Sequence, residues 1–523
     1  MPLKKIGKIK PVAVALTAIL SLSVFFRFYH LTDWFSFGMD TEYEAFLVKN
    51  IVTFKHFPLI GVNAGGTGIY LGPVFIYLAA LPFVLFGGNP LGWAITASFL
   101  GVFTTWLVYY VSNKLFGLAS ALFASFIYAS SFLIAFYDRA FWNPTPVPLL
   151  SLLIIYFLYR IYLNKQNCLL YLAFVFGLAF HTHLSLLIFT PLIFYVIIRK
   201  FKIFKKRILV FSLTVFLLLQ LPLLIFEFRH NFTNSKAVVN LIMKNGNAGS
   251  DRTVIAQRAG TLYNFFGRFL FVPPYPDLFT EKGLCQDLIG IRKNAYPEIT
   301  VLTLLGIAFF FYINTFLTNK NKSNFPQRLL ISVFLLSVFS ALVYKRTFQE
   351  YYFLLLSPVI AIMLGRVLAY LWKKNYGKPV VLSLLAFFLI LNLITLFTAK
   401  NSYSHSLKLE ITDFARSFVN GRDYDLEALG DCPRFAGWGY LFEYYLTKPN
   451  HSYLDSYYRW LNFDPGSELN PQSIVLLSMI DPRSKNVNIS KWQEDKIRFL
   501  TEFKVVAEKL WDNIQVFILE VKK

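Results

Sequence analysis

The chain has 523 residues, of which 56% are hydrophobic and 18% aromatic, with 57 Phe and a mean hydropathy of +0.51. This composition suits a lipid-facing surface and excludes an ordinary soluble core, so the chain reads as an integral membrane protein. The net charge of +22 sits mostly in short loops between apolar segments, where orientation and attraction to anionic lipid explain it without a nucleic-acid partner.

The N-terminus carries Lys4, Lys5, Lys8 and Lys10 ahead of an apolar run at 11–26. The run and the small residues of Ala13-Val14-Ala15 resemble a signal peptide, but ten more apolar segments follow, so it reads as an uncleaved first span. Those segments are 91–113, 118–136, 145–159, 168–180, 184–198, 208–226, 299–317, 329–343, 351–372 and 379–399. A helix needs roughly 20 apolar residues to cross the hydrocarbon, somewhat fewer when tilted or anchored, and lipid satisfies no backbone polar group. Eleven transmembrane helices are therefore expected, 168–180 and 184–198 being short.

The stretch from Ile69 to Gly87 is also apolar. Counting it as a span would put the N-terminal lysines and the Arg199–Arg207 basic cluster on opposite sides, against the positive-inside rule. It is expected instead to lie in the interface, or to re-enter, within a long first outer loop. All 29 Asp and Glu then fall on the outer side, while the short inner loops hold 19 Lys and Arg and no acid. This topology has a cytoplasmic N-terminus in a plasma membrane and outer loops at 27–90, 137–144, 181–183, 227–298 and 344–350.

After residue 400 the charge rises and apolar runs shorten to strand length. Leu407, Ile411, Phe414 and Phe418 share one helical face, and 473–480 and 513–521 read as strands. The expected organisation is a transmembrane domain, 1–400, and a small α/β domain outside the membrane, 401–523. Cys168, Cys285 and Cys432 lack metal-ligand spacing; the latter two fall outside and either pair or remain free. Gly61–Gly68 is Gly-rich without following a strand, which favours a flexible loop over a phosphate cradle.

Charged residues are nearly absent from the spans and gather at their outer ends: Asp40, Glu42 and Glu44; Asp138 and Arg139; His181 and His183; Glu227, Arg229 and His230; Lys345, Arg346 and Glu350. A site built there faces lipid and water together, which suits a substrate with a greasy tail and an anionic head. If a sugar leaves a lipid phosphate, the phosphate needs no general acid. Cations must hold its developing charge, and one carboxylate must take a proton from the acceptor. Arginine's planar fork matches the phosphate.

At these residues the chain resembles a family. Met39-Asp40-Thr41-Glu42-Tyr43, Gly72-Pro73-Val74-Phe75-Ile76-Tyr77 and Arg139-Ala140-Phe141-Trp142-Asn143-Pro144 are similar to motifs of the family 39 membrane glycosyltransferases. Gly177–His183 and Phe226–Phe232 look like further landmarks of a bacterial subgroup. The resemblance covers about residues 10–400 and implies an all-α polytopic GT-C fold with interfacial helices in the first outer loop. Its relatives include protein O-mannosyltransferases and the lipid A aminoarabinose transferase.

It further implies inverting transfer of a hexosyl or pentosyl group from a polyprenyl-phosphate sugar donor to a protein, lipid or glycan acceptor. Asp40 matches the first-loop aspartate that binds and deprotonates the acceptor. Thr41 interrupts the adjacent acid pair of many members, leaving open whether Glu42 supplies the second acid. Asp138 falls where some members place a second-loop acid, or else pairs with Arg139. Arg139, His183, Arg229, His230 and Arg346 are candidates for donor phosphate or substrate, against the plainer readings of helix caps and snorkelling cations. No cofactor is assigned, and a divalent cation at the first-loop acids is possible but not demanded by any ligand spacing. The alternative reading is a transporter or flippase of lipid-linked sugars, which needs polar residues or broken helices near mid-membrane.

Overall fold

The structure is a computed structural model describing residues 3–244, 252–272, 306–314, 324–344, 349–399, 401, 404–419, 421–429, 437–453, 473–479, 489–511 and 514–522. Helix α1 (Leu3–Phe28) is followed by a turn, α2 (Leu31–Trp34), then α3 (Met39–Val52) and α4 (Val74–Leu85). Next come α5 (Pro90–Phe116), α6 (Leu118–Ser130), α7 (Phe132–Tyr137), α8 (Val147–Tyr162) and α9 (Cys168–Thr182). A 3-10 segment at Leu184–Phe189 leads into α10 (Thr190–Lys200), and α11 (Lys206–Arg229) follows. The long loop holds α12 (Thr233–Lys244) and α13 (Arg252–Leu270). The membrane region ends with α14 (Phe325–Val343), a 3-10 segment at Glu350–Leu356, α15 (Ser357–Leu371) and α16 (Gly377–Thr398).

Seven helical segments among the described residues are long and apolar enough to span a membrane, and α6, α8 and α9 are shorter apolar helices at three further expected positions. Of the expected span 299–317, residues 306–314 are helical and the rest lies outside the described residues. The chain is a multi-pass membrane protein. Its periphery carries exposed apolar side chains, such as Leu213, Leu217, Leu218 and Leu221 on α11 and Leu382, Phe387 and Ile390 on α16. Such faces suit hydrocarbon rather than water.

At the centre, α15 is buried along most of its length and packs closely on α6. A Cβ added to Gly365 would lie 2.6 Å from the Ser120 carbonyl oxygen, so a small residue is what permits this approach. Helix α4 has 12 residues, about 18 Å at 1.5 Å per residue, too short to cross the hydrocarbon. It buries Phe75, Ile76 and Ala79 against protein and leaves Leu78, Leu81, Val84 and Leu85 exposed, as expected for a helix lying in the interface.

The expected span 118–136 is broken: Ser131 is extended between α6 and α7. Asn392 of α16 accepts the Phe132 N–H at 2.8 Å and donates to the Leu270 carbonyl at 3.0 Å, while Ser131 Oγ donates to Phe269 O at 3.1 Å. Asn392 thus takes up the Phe132 N–H that the break frees, and the same two side chains satisfy carbonyls at the end of α13.

After the last span come α17 (His405–Val419), β1 (Tyr424–Leu429), α18 (Trp438–Tyr445), β2 (Ser473–Met479), α19 (Ile489–Glu502), β3 (Phe503–Trp511) and β4 (Ile514–Val521). The strands form one sheet in the order β1-β2-β4-β3, with β1 and β2 parallel and the other pairings antiparallel. One sheet face shares a continuous core with the first loop and the start of α5: Val475, Leu477 and Ile518 belong to the same buried cluster as Phe37, Leu47, Val48, Phe75 and Trp93. Leu476, Phe517 and Leu519 pack on the other face. Cys168 is buried and free, whereas Cys285 and Cys432 lie outside the described residues.

Candidate functional site

Helix α3 starts after Gly38, whose extended backbone turns the chain into the helix, and carries its acids in the first two turns. Residues four apart share a helix face and residues two apart do not. Asp40 and Glu44 therefore make one face, and Glu42 points to another. Asp40 is exposed at the first turn, where the helix dipole favours negative charge, and the protein crowded around it forms a recess open to solvent. Poor solvation there raises its pKa above the ordinary aspartate value.

Glu44 is fully buried and accepts the Asn143 N–H through Oε1 at 3.1 Å, while Oε2 has no hydrogen-bond partner. Burial, and then the charge of Asp40, push its pKa well up. Glu42 is also fully buried but faces the C-terminal domain, accepting the Tyr440 N–H at 2.8 Å. Burial raises its pKa too, against the lowering effects of that hydrogen bond and of Lys408.

Around Asp40 the walls are aromatic. Its charge is within electrostatic reach of Tyr351 and Tyr352, whose rings meet edge-on at 4.8 Å. Trp142 packs on Tyr351 at 4.7 Å and His183 on Tyr352 at 5.0 Å. His183 Nδ1 accepts the Ser185 N–H at 3.2 Å and lies 2.8 Å from Ser185 Oγ, a helix cap that also aims the ring at the tyrosines. Burial lowers its pKa to about 4, which keeps the ring neutral at ordinary pH. His181 is buried elsewhere, taking the Val74 N–H at 3.5 Å and filling the space beside Gly72, where an added Cβ would lie 1.8 Å from its Nδ1.

The structure gives Asp138 a partner that the sequence reading did not name. Arg27, near the end of α1, donates from Nε to Asp138 Oδ2 at 2.9 Å and from Nη1 to Ser23 Oγ at 2.8 Å, and its Nη2 lies 2.7 Å from the same Oδ2 in an ion pair. Gly101 makes the room, since an added Cβ would sit 2.4 Å from Asp138 Oδ2. Arg139 donates to the carbonyls of Phe26 and Arg27, closing the end of α1, and lies over the Trp34 ring at 5.5 Å. Asp138 and Arg139 are thus woven into the ends of the bundle.

Arg229 is exposed at the end of α11, and His230 stacks on Phe226 at 4.2 Å with Nδ1 3.0 Å from that residue's carbonyl oxygen. Asn231 and Phe232 follow with φ of 52° and 59°, two consecutive left-handed residues without glycine's freedom. Glu227 then caps α12, accepting from Asn234 N at 2.9 Å and Ser235 N at 3.0 Å. Asn234 in turn accepts the Tyr70 N–H at 2.9 Å and donates to Tyr70 O at 3.0 Å, tying the Gly-rich first loop to this corner. A Cβ on Gly65 would come within 3.4 Å of the Tyr352 hydroxyl, so that loop reaches the recess. Arg346 lies outside the described residues.

Two arginines of α13 were not singled out in the sequence. Arg268 is buried in an ion pair with Glu350, next to Tyr351. Arg258 is buried, donates from Nη1 to Leu342 O at 3.0 Å and keeps Nε and Nη2 without partners. Among the described residues no group of three or more His, Cys, Asp or Glu is placed to hold a metal ion. A cavity of about 330 Å³ lined by Tyr29, Asp33, Asn401 and Glu410, among others, includes none of the recess residues.

Residues 71–226 match the family model described as dolichyl-phosphate-mannose-protein mannosyltransferase. The fold is similar to that of ArnT from Cupriavidus metallidurans bound to undecaprenyl phosphate, with a TM-score of 0.55, 11% identity and 98% of each chain covered. The same protein in the apo state gives a TM-score of 0.55 at 10% identity, again over 98% of each chain. The oligosaccharyltransferase of Archaeoglobus fulgidus is more distant, with a TM-score of 0.48, 15% identity and coverage of 88% of this chain and 67% of that one. No curated protein sequence matches the chain. The resemblance to GT-C glycosyltransferases read from the sequence is borne out by the family match and the ArnT-like fold.

Proposed function

We propose that this protein is an inverting membrane glycosyltransferase that takes a sugar from a polyprenyl-phosphate donor and works at the outer face of the plasma membrane. The observation that carries the reading is the Asp40–Glu44 face of α3, an accessible carboxylate beside a buried one in an aromatic recess next to an interfacial helix. The family description and the undecaprenyl phosphate named with the ArnT structure support a polyprenyl phosphate as the lipid carrier. The basic inner loops support a cytoplasmic N-terminus and an extracytoplasmic C-terminal domain.

In this reading Asp40 accepts the proton of the acceptor's hydroxyl or amine. The acceptor atom forms a bond to the sugar's anomeric carbon, the carbon–oxygen bond to phosphate breaks, and its electron pair stays on the phosphate. Arg258, with two free nitrogens, and Arg229, exposed at the end of α11, are the cations proposed to hold that charge; Arg346 is a third candidate. Tyr351, Tyr352 and His183, backed by the buried Trp142, offer a surface on which a sugar ring can stack. Asp138 and Arg139 are read as architectural. The transporter alternative would draw on the break at Ser131, but the Phe132 N–H there is taken up by Asn392.

The test is transfer from radiolabelled polyprenyl-phosphate sugars by purified protein in lipid vesicles, with envelope glycans, lipids and proteins as acceptors. Donor-dependent product with inverted anomeric configuration is expected. Retained configuration would overturn the single displacement. Movement of lipid-linked sugar across the vesicle without product would favour the transporter.

A further inference from the structure

Glu42 lies two residues from Asp40, on a different face of α3, where it meets the C-terminal domain. Its Oε1 accepts the N–H of Tyr440, the third residue of α18, so a buried carboxylate caps that helix N-terminus across the interface. Beside it Lys408 of α17 is 2% exposed, donates from Nζ to the Phe37 carbonyl oxygen at 2.5 Å and lies 5.4 Å from the centre of the Trp438 ring. The turn into α18 uses Gly437 at a φ of 79°, and a Cβ there would fall 2.7 Å from that same Phe37 oxygen.

More bonds grip the segment leading into α3. His405 N–H donates to Phe35 O at 2.8 Å, and Asn401 Nδ2 donates to Ser36 Oγ at 3.0 Å. Farther along, Lys49 of α3 pairs with Glu443 of α18, and the Tyr440 hydroxyl donates to Gly88 O at 2.7 Å. The first turn of α3 is therefore held from the far side by a domain that follows the last span in the chain.

We infer that Glu42 is a positioning residue: with Lys408 and the N-terminus of α18 it docks the C-terminal domain onto α3 and thereby fixes the angle at which Asp40 enters the recess. The inference rests on the glycosyltransferase reading above. It moves Glu42 out of the catalytic set and gives the C-terminal domain a part in the reaction without contact to the reacting atoms. Polar partners that fasten a functional helix set geometry tightly, and small misplacement of a base lowers turnover more than it lowers substrate affinity.

The experiment compares full-length wild type, Glu42→Gln, Lys408→Met and the double variant. The double variant leaves no unpaired buried charge, so it carries the test if a single variant does not fold. Hydrogen exchange of residues 39–52 is followed with kcat and the donor KM, and Glu42→Gln is repeated in an Asp40→Asn background. We expect exchange in α3 about tenfold faster or more, kcat lower by about 10²-fold, donor KM unchanged, and no further loss when Asp40 is already Asn. Unchanged exchange would overturn the dock. Equal losses of activity in both backgrounds would make Glu42 an independent catalytic acid. Faster exchange with undiminished kcat would leave the dock without a part in turnover and overturn the positioning role. If wild type transfers no sugar from any donor, the glycosyltransferase reading and the positioning role fall together, and the exchange data still decide whether the dock holds α3.

Discussion

Asp138 and Asp40 both follow shortly after helix ends and both gather protein around them, but they are neutralised in different ways. Asp138 is 6% exposed and shares Oδ2 with two nitrogens of Arg27, in a space that exists only because residue 101 is glycine. Asp40 is accessible, has a second carboxyl one helical turn away and aromatic side chains near it, and its place in the first turn of α3 favours its charge. A carboxylate locked to a guanidinium is a poor proton acceptor, because protonation must first break the pair. One with no ion pair among the described residues, in a recess that raises its pKa, suits a general base. The comparison teaches that the acid beside the more conspicuous cations is the less suited to chemistry.

The sharpest way to break this comparison is to neutralise each acid in turn. Asp40→Asn should lower transfer by about 10²–10⁴-fold, the usual range for removing a general base, with the thermal unfolding profile unchanged. Asp138→Asn should do the reverse. Leaving Arg27 buried with its pair gone should destabilise the protein by about 3–5 kcal/mol, while the molecules that remain folded turn over at close to the wild-type rate. Thermal unfolding in detergent together with turnover per folded molecule separates the two. A loss of turnover in folded Asp138→Asn matching that of Asp40→Asn would return Asp138 to the catalytic set.

A smaller effect sharpens the architectural side. Gly101→Ala places a methyl group against Asp138 Oδ2 and Arg27 Nε, at 2.4 and 2.6 Å before relaxation. Overpacking of this kind should lower stability by about 1–3 kcal/mol. If it also spares transfer per folded molecule, the ion pair serves the fold alone. An unchanged melting temperature would mean that the pair can shift aside at little cost.

The membrane spans were legible because lipid imposes them: the charge-free segments and the short stretch around α4 follow from solvation alone. The break at Ser131 was hidden, because segment 118–136 contains no charge, Gly or Pro to mark it and its partner Asn392 lies some 260 residues away. At the site, Asp40 is read from its motif and Glu42 from the search for an adjacent acid, and the structure sets Glu44, one helical turn on, on the Asp40 face and Glu42 on another. The i,i+4 spacing was already present in Asp40-Thr41-Glu42-Tyr43-Glu44. Arg27 sits at the end of an expected span without any sequence sign that it pairs with Asp138, a contact across 111 positions. Long-range pairing of this kind is a property of packing, which one sequence does not display.

The smallest effect concerns which member of the Asp40–Glu44 face ionises first. Burial raises both pKa values, Glu44 strongly, with Asp40's charge adding to the rise. Glu44 should therefore hold its proton over the range in which Asp40 loses its own. A base works only when ionised, so kcat/KM should fall tenfold per pH unit below the Asp40 pKa, and the raised pKa places this acid limb above the ordinary value of 3.8. Gln in place of Glu44 resembles the protonated acid and can still accept the Asn143 N–H, so Glu44→Gln should leave the limb where it is. A limb that moves to lower pH in this variant would mean that Glu44 is charged while Asp40 titrates, and the proton of the pair would then belong to both carboxyls rather than to Glu44.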